Sequence, residues 1–381
     1  MVAPYYSIVV PTRNRPNLFL QTVDSIVRQD FDDYEVIVSD NSSDSRTGDA
    51  FAALDFSSKF KYFRPEAELS MPDHWEFATL KATGQYVIIL TDRSVLCVGA
   101  LKRIHNALVG SEKLVEVCSW PWNTYDDDSQ VLISLGTSGS AVWKKSSMVS
   151  QSFAGPQKNY PYELPRGLNS CYSAAIATSV RARYGRLFYP LSPDYHSAFL
   201  LLSMVAEILY INTPLFVSHG LTVSNGGTAY VSDAMPYLLS LGSVDWYAQV
   251  PIKAPLSESL IYQDYLDVAN DFSGGWSADW VEYFVRNYRE LLDKQAAGQI
   301  PNERMADFFA EWQRALREQN GVVRAQVSVG IGRLRRQRWL TKFVLYRAIE
   351  WIRRKLRGSS NVSRKYPSVM AAAGFIDAPL A

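Results

Sequence analysis

Two short, largely β-branched runs constrain this chain more than any other feature: Ser7-Ile8-Val9-Val10-Pro11-Thr12 and Tyr34-Glu35-Val36-Ile37-Val38-Ser39-Asp40. Between them lies a segment with apolar residues at Leu18, Val23, Ile26 and Val27, close to helical intervals. Strand, helix, strand at this separation reads as a βαβ unit, in which the two strands run parallel. Both strands end in polar, turn-forming residues, Pro11-Thr12-Arg13-Asn14 and Asp40-Asn41-Ser42. Ligands of open parallel sheets bind outside the carboxyl ends of the strands, so the two tips are expected to line one crevice. A carboxylate there suits the polar edge of a base or sugar, and an arginine such as Arg13 suits phosphate.

Helical spacing over Asp49 to Phe56, a short strand over Lys59 to Arg64, and a helix running from Asp73 as cap to Gly84 as stop continue the pattern. That helix leads into Tyr86-Val87-Ile88-Ile89-Leu90, a continuous apolar strand of the buried parallel kind, and then into Thr91-Asp92-Arg93-Ser94. Val115 to Trp122 and Val131 to Leu135 read as further strands. The acidic run Asp126-Asp127-Asp128 between them reads as a solvated hairpin tip.

Val9-Val10-Pro11-Thr12-Arg13-Asn14-Arg15, then Glu35 to Asp44, then helix, Ala82-Thr83-Gly84-Gln85-Tyr86, buried strand and acidic turn, together resemble the family 2 glycosyltransferases of the GT-A fold. The resemblance extends to about residue 228. It implies an α/β catalytic domain, a Rossmann-like, mixed, mostly parallel sheet flanked by helices. It also implies inverting transfer of a sugar from a nucleotide-diphosphate donor to a hydroxyl of a saccharide or lipid-linked acceptor, in cell-surface polysaccharide synthesis. By the same resemblance Pro11, Thr12, Asp40 and Asp92 would hold the nucleoside, and Arg13 or Arg93 the diphosphate. Ser192-Pro193-Asp194 opens an apolar helix, where Asp194 resembles the family's acceptor-activating carboxylate. Inverting transfer needs a base within hydrogen-bond reach of the acceptor hydroxyl, although an aspartate at a helix start is also an ordinary cap.

The acidic turn departs from the family's pattern of two or three aspartates, which bind a divalent metal, because only Asp92 is acidic. Two readings stand: Arg93 takes the metal's place against the diphosphate, or Asp92 holds Mg or Mn together with His219. A third possibility is a transferase-like binding or scaffold protein without catalysis.

Beyond residue 228 the chain reads as a helical C-terminal region, 229–381, with helical spacing over Ser257 to Asn270, Ala278 to Gln295 and Glu303 to Gln319. Residues 331–357 form a basic amphipathic segment, suited either to an anionic membrane surface or to packing with a solvated basic face. The tail from Ser359 reads as loosely ordered. The chain carries 39 basic and 38 acidic residues, which gives no general case for nucleic acid. Cys97, Cys118 and Cys171 have no paired or metal-ligand spacing, as expected in a reducing compartment. Neither a secretory signal nor an apolar run of bilayer length is legible, so the expected location is cytoplasmic, peripheral on the inner face of the plasma membrane if the basic segment binds lipid.

Overall fold

Strands β1 (Tyr6–Thr12) and β2 (Tyr34–Asp40) are buried at every residue, the burial that parallel strands acquire when both faces of their sheet are covered. They pair in parallel with Thr12 opposite Asp40, so the two strand tips end side by side. Helix α1 (Pro16–Val27) connects them, opening on a proline whose missing N–H costs nothing at that position. It buries Phe19, Thr22, Val23, Ser25 and Ile26, while Val27 stays exposed.

The computed structural model describes residues 3–54, 58–136, 139–154, 161–220, 229–241, 246–269, 276–343 and 363–375. These fall into two compact units. One comprises Met1–Ser150, Tyr160–Ser224 and Asn361–Ala381, the other Gln151–Asn159 and Asn225–Ser360.

In the first unit α2 (Arg46–Ala52), β3 (Phe60–Phe63), α3 (Met71–Thr79), β4 (Tyr86–Ile89), β5 (Ser94–Leu96), α4 (Ala100–Val109), β6 (Val117–Ser119), β7 (Asn123–Asp126) and β8 (Val131–Ile133) follow in order. Then come β9 (Ala141–Lys145), α5 (Ser146–Ala154, which from Gln151 on belongs to the second unit), β10 (Ser170–Ser173), α6 (Ala174–Tyr184), α7 (Pro193–Met204), β11 (Glu207–Ile211) and β12 (Phe216–His219). The main sheet has eight strands in the order β3-β2-β1-β4-β10-β6-β11-β9. The block β3 to β4 is parallel, and β10 and β9 run against their neighbours, so the sheet is mixed and mostly parallel. Gly84 is required where the chain enters β4, because a Cβ there would sit 2.7 Å from the Ser7 backbone nitrogen. The close approach lets Ser7 Oγ accept from the Gly84 N–H at 2.8 Å and donate to the buried Glu35 at 2.6 Å. Helix α3 is capped by Ser70, whose Oγ accepts from Asp73 N–H, so Asp73 lies in the first turn and not at the cap.

In the second unit α8 (Met235–Ser240), α9 (Ser257–Ala269), α10 (Trp280–Ala297), α11 (Asn302–Arg317) and α12 (Gly321–Phe343) are all helices. Their aromatic side chains, among them Tyr262, Tyr265, Tyr283, Phe284 and Trp312, meet largely edge to face in a buried core. Helix α10 ends at Gly298, whose φ of 66° is the left-handed conformation that glycine adopts without steric cost. On α12 two members of the basic segment bond to α10: Arg335 donates to Tyr288 Oη and Arg338 to Asp293. Residues 344–357 of that segment lie outside the described residues.

The tail differs from the loose order read from its composition. β13 (Ser363–Lys365) pairs antiparallel with β8 and completes a second sheet, ordered β13-β8-β7-β12-β5. The short helix α13 (Val369–Ala372) follows, and Val369, Met370 and Phe375 close a small core with Val95, Tyr125, Leu132 and Val217. Apolar burial against a sheet face, together with an edge strand that needs pairing, orders the segment.

Candidate active site

The tips of β1, β2 and β4 meet through side chains. Thr12 Oγ1 donates to Asp92 Oδ2 at 3.0 Å, and Arg15 Nη1 lies 3.5 Å from Asp92 Oδ1. Asp40, fully buried at the end of β2, accepts from the Ser42 N–H at 2.9 Å and from Tyr62 Oη at 2.7 Å. Burial and that carboxylate push the Tyr62 hydroxyl up to about 12. Asn14 takes a left-handed φ of 56°, which asparagine tolerates, and its N–H and side chain tie the β1 loop to Ser42 and Ser43. Pro11 sits opposite Ser39, buried within the sheet. Arg64 donates to the Ser42 and Asp44 carbonyls and so braces the β2 loop.

Arg93 and Asp194 belong to the neighbouring part of the same unit. Arg93 Nη1 donates to Ser218 Oγ at 2.8 Å and to the His219 carbonyl at 3.0 Å, and the Arg93 carbonyl accepts from the His219 N–H. The guanidinium is therefore pinned to β12. It stands within electrostatic reach of Arg166, Asp92, Arg15 and Asp194. Asp194 lies in the first turn of α7, 3.9 Å from Arg166 Nη1. Ser192, not Asp194, is the residue preceding α7 and its side chain accepts no capping bond, while the Asp194 carboxylate faces the backbone N–H groups of Asp194 and Tyr195 in the first turn. Burial pushes the Asp194 carboxyl up from the usual carboxylate range, against the pull of Arg166 and Arg93. Burial likewise pushes Asp92 up, opposed by Arg15 and Thr12.

Thr12, Asp40 and Asp92 thus share the strand tips, and Asp92, Arg93 and Asp194 share one electrostatic cluster. Arg13 stands apart: its side chain is half exposed and pairs with Glu68. His219 has both ring nitrogens engaged, Nδ1 with Asp127 at 2.8 Å and Nε2 with Gln21 Oε1 at 3.0 Å. Asp127, read from sequence as part of a solvated hairpin tip, instead reaches back to that ring. Arg15 and Arg166 carried no signal strong enough to single them out. Arg166 lies in Leu164-Pro165-Arg166-Gly167, where a loop arginine is indistinguishable from any surface one. In the fold its guanidinium sits 4.5 Å from the Trp122 ring centroid and 4.9 Å from that of Tyr195, while donating to Tyr195 Oη at 2.8 Å.

A mixed, mostly parallel sheet flanked by helices, with polar residues at the carboxyl ends of its parallel strands and a charged cluster beside them, is an α/β architecture of the Rossmann-like kind. Residues 7–159 match the family model described as glycosyl transferase family 2. Over 103 residues the chain is 35% identical to the GalNAc(5)-diNAcBac-PP-undecaprenol beta-1,3-glucosyltransferase of Campylobacter jejuni, an alignment covering 26% of this chain and 33% of that protein. Only about a third of that relative's length is spanned. Among solved structures, S. aureus TarS 1-349 in complex with UDP-GlcNAc aligns at a TM-score of 0.49 and 13% identity, over 83% of this chain and 93% of the other. The mannosyltransferase PcManGT from Pyrobaculum calidifontis, in complex with GDP-Man and Mn2+, aligns at 0.43 and 17%, over 87% and 85%. Likenesses this distant carry no function across.

Proposed function

We propose that the protein transfers a sugar, with inversion, from a nucleotide-diphosphate donor to a hydroxyl of a saccharide or lipid-linked acceptor in cell-surface polysaccharide synthesis. The observation that carries this reading is the set of contacts at the strand tips: Thr12 Oγ1 donates to Asp92 at 3.0 Å, Arg15 lies 3.5 Å from Asp92, and Arg93, next in sequence, is held by Ser218 and the His219 carbonyl. In the reaction the Asp194 carboxylate takes the acceptor's hydroxyl proton. The acceptor oxygen bonds to the anomeric carbon as the bond from that carbon to the phosphate oxygen breaks, and the nucleoside diphosphate departs with the electron pair. Thr12, Asp40 and Asp92 orient the nucleoside, with Pro11 shaping the turn. A raised carboxyl suits a base that must both accept a proton and be ionised near neutral pH. The wording of the Campylobacter relative's name, a transferase acting on an undecaprenol-linked saccharide, favours a lipid-linked acceptor.

Asp194→Asn separates binding from chemistry. The variant is expected to bind donor as the wild type does while its turnover falls roughly 100- to 10,000-fold, the contribution of a general base. A variant that transfers sugar at the wild-type rate removes Asp194 from the mechanism. A wild-type protein that binds donors but never turns them over points instead to a binding or scaffold protein.

A further inference from the structure

We infer that this protein holds its donor's diphosphate with arginine side chains and needs no divalent cation, an inference that rests on the transferase reading above. The donor set beside Asp92 does not fit Mg or Mn. Such hard cations take six or more oxygen ligands, commonly with more than one carboxylate or phosphate among them. Asp92 is a single buried carboxylate whose two oxygens already face Thr12 Oγ1 and Arg15, with the Arg13 backbone N–H as a further donor. His219, the other candidate ligand, has its Nδ1 facing Asp127 and its Nε2 facing Gln21, so neither nitrogen has a lone pair directed at Asp92. A cation placed there would also meet two guanidiniums, those of Arg15 and Arg93, beside the one carboxylate.

That same excess of positive charge fits an anion. Arg15 faces Asp92 and Arg166 faces Asp194, whereas Arg93, among the described residues, bonds only the neutral oxygens of Ser218 and His219. A guanidinium carries five N–H donors and stays charged, and its planar fork matches two phosphate oxygens at once. Arg93 is fixed before any ligand arrives, because both its side chain and its backbone bond to β12. Fixed donors of this kind stabilise charge that develops on a leaving group without reorganising. Where the family pattern has further aspartates to bind metal, this chain places a cation of its own, Arg93.

The test uses the full chain treated with EDTA and then dialysed free of it. UDP and GDP are titrated calorimetrically without metal and again with Mn2+ present. The expected result is binding of one of the two nucleotides without metal, with an affinity that Mn2+ changes by less than about threefold. Arg93→Gln should weaken that binding about tenfold or more, the loss of one charge-assisted contact, and Arg15→Gln should weaken it less, because Asp92 already faces that guanidinium. Melting curves identify any variant that fails to fold, and two variants at separate positions keep the test decisive. Binding that appears only with Mn2+ overturns the metal-free inference while leaving the transferase reading intact. Binding unaffected by either substitution overturns the arginine assignment, and no binding under any condition overturns both readings.

Discussion

At the residue scale the decisive feature is how the surroundings of Asp194 set its protonation. Burial drives its carboxyl upward and Arg166, 3.9 Å away, draws it back. Because a base works in its ionised form, activity should fall on the acid side at a pH above the usual carboxylate range. Replacing Arg166 with glutamine removes a cation that favours the ionised form, so the acid limb of kcat/KM should move to higher pH. A limb that stays in place or moves to lower pH would show that Arg166 does not act through Asp194. Individual residues were the least legible layer of the sequence. Thr12, Asp40 and Asp92 stand out because strand ends carry them, but Arg166 is brought to Asp194 only by folding. Arg13 illustrates the converse: the motif draws attention to it, yet its position in an open turn lets Glu68 pair with it at the surface.

At the element scale period and punctuation were sufficient where one signal dominated. β1, β2 and β4 were readable because buried parallel strands have no polar alternation to blur them, and α9 to α11 because their apolar spacing is regular. β13 and α13 were not, since a three-residue edge strand has no periodicity of its own and forms only through β8. The helical unit has its own internal keystone. Glu290, completely buried on α10, accepts the Ser257 and Glu258 N–H groups at the start of α9, and Lys294 lies 3.2 Å away. Lys294 Nζ in turn donates to the carbonyls of Ala229 and Ser232. Burial pushes Glu290 up and Lys294 down, so each needs the other to stay charged. Glu290→Ala strands that lysine and two helix-end N–H groups, and should cost about 3–5 kcal/mol in urea unfolding followed by tryptophan fluorescence. A loss below about 1 kcal/mol, the scale of an exposed ion pair, would refute this role.

At the scale of the whole molecule the chain forms two compact units, and its last described stretch, 363–375, belongs with the first. Contact of distant segments produces that return, which no local pattern announces. Among the described residues no helix is long and apolar enough to cross a membrane. The basic segment shows a related limit of sequence: cations at 335 and 338 look alike to those around them, but only packing shows that they bond to α10. The βαβ start, by contrast, was legible because its two strands lie close in sequence and pair directly, Thr12 opposite Asp40.

The central claim is that the tips of β1, β2 and β4 grip an activated sugar through its nucleoside half. Calorimetric titration of the full chain with a panel of uridine and guanosine diphosphate sugars, beside Asp40→Asn, tests it most directly. Asp40 is buried with both oxygens engaged, by the Ser42 N–H and Tyr62 Oη, and so holds the tip of β2 in place. Saturable binding of at least one sugar nucleotide is expected, weakened about tenfold or more in the variant as the β2 tip loses its charged anchor. A panel in which nothing binds, or a variant that binds as the wild type does, would contradict it.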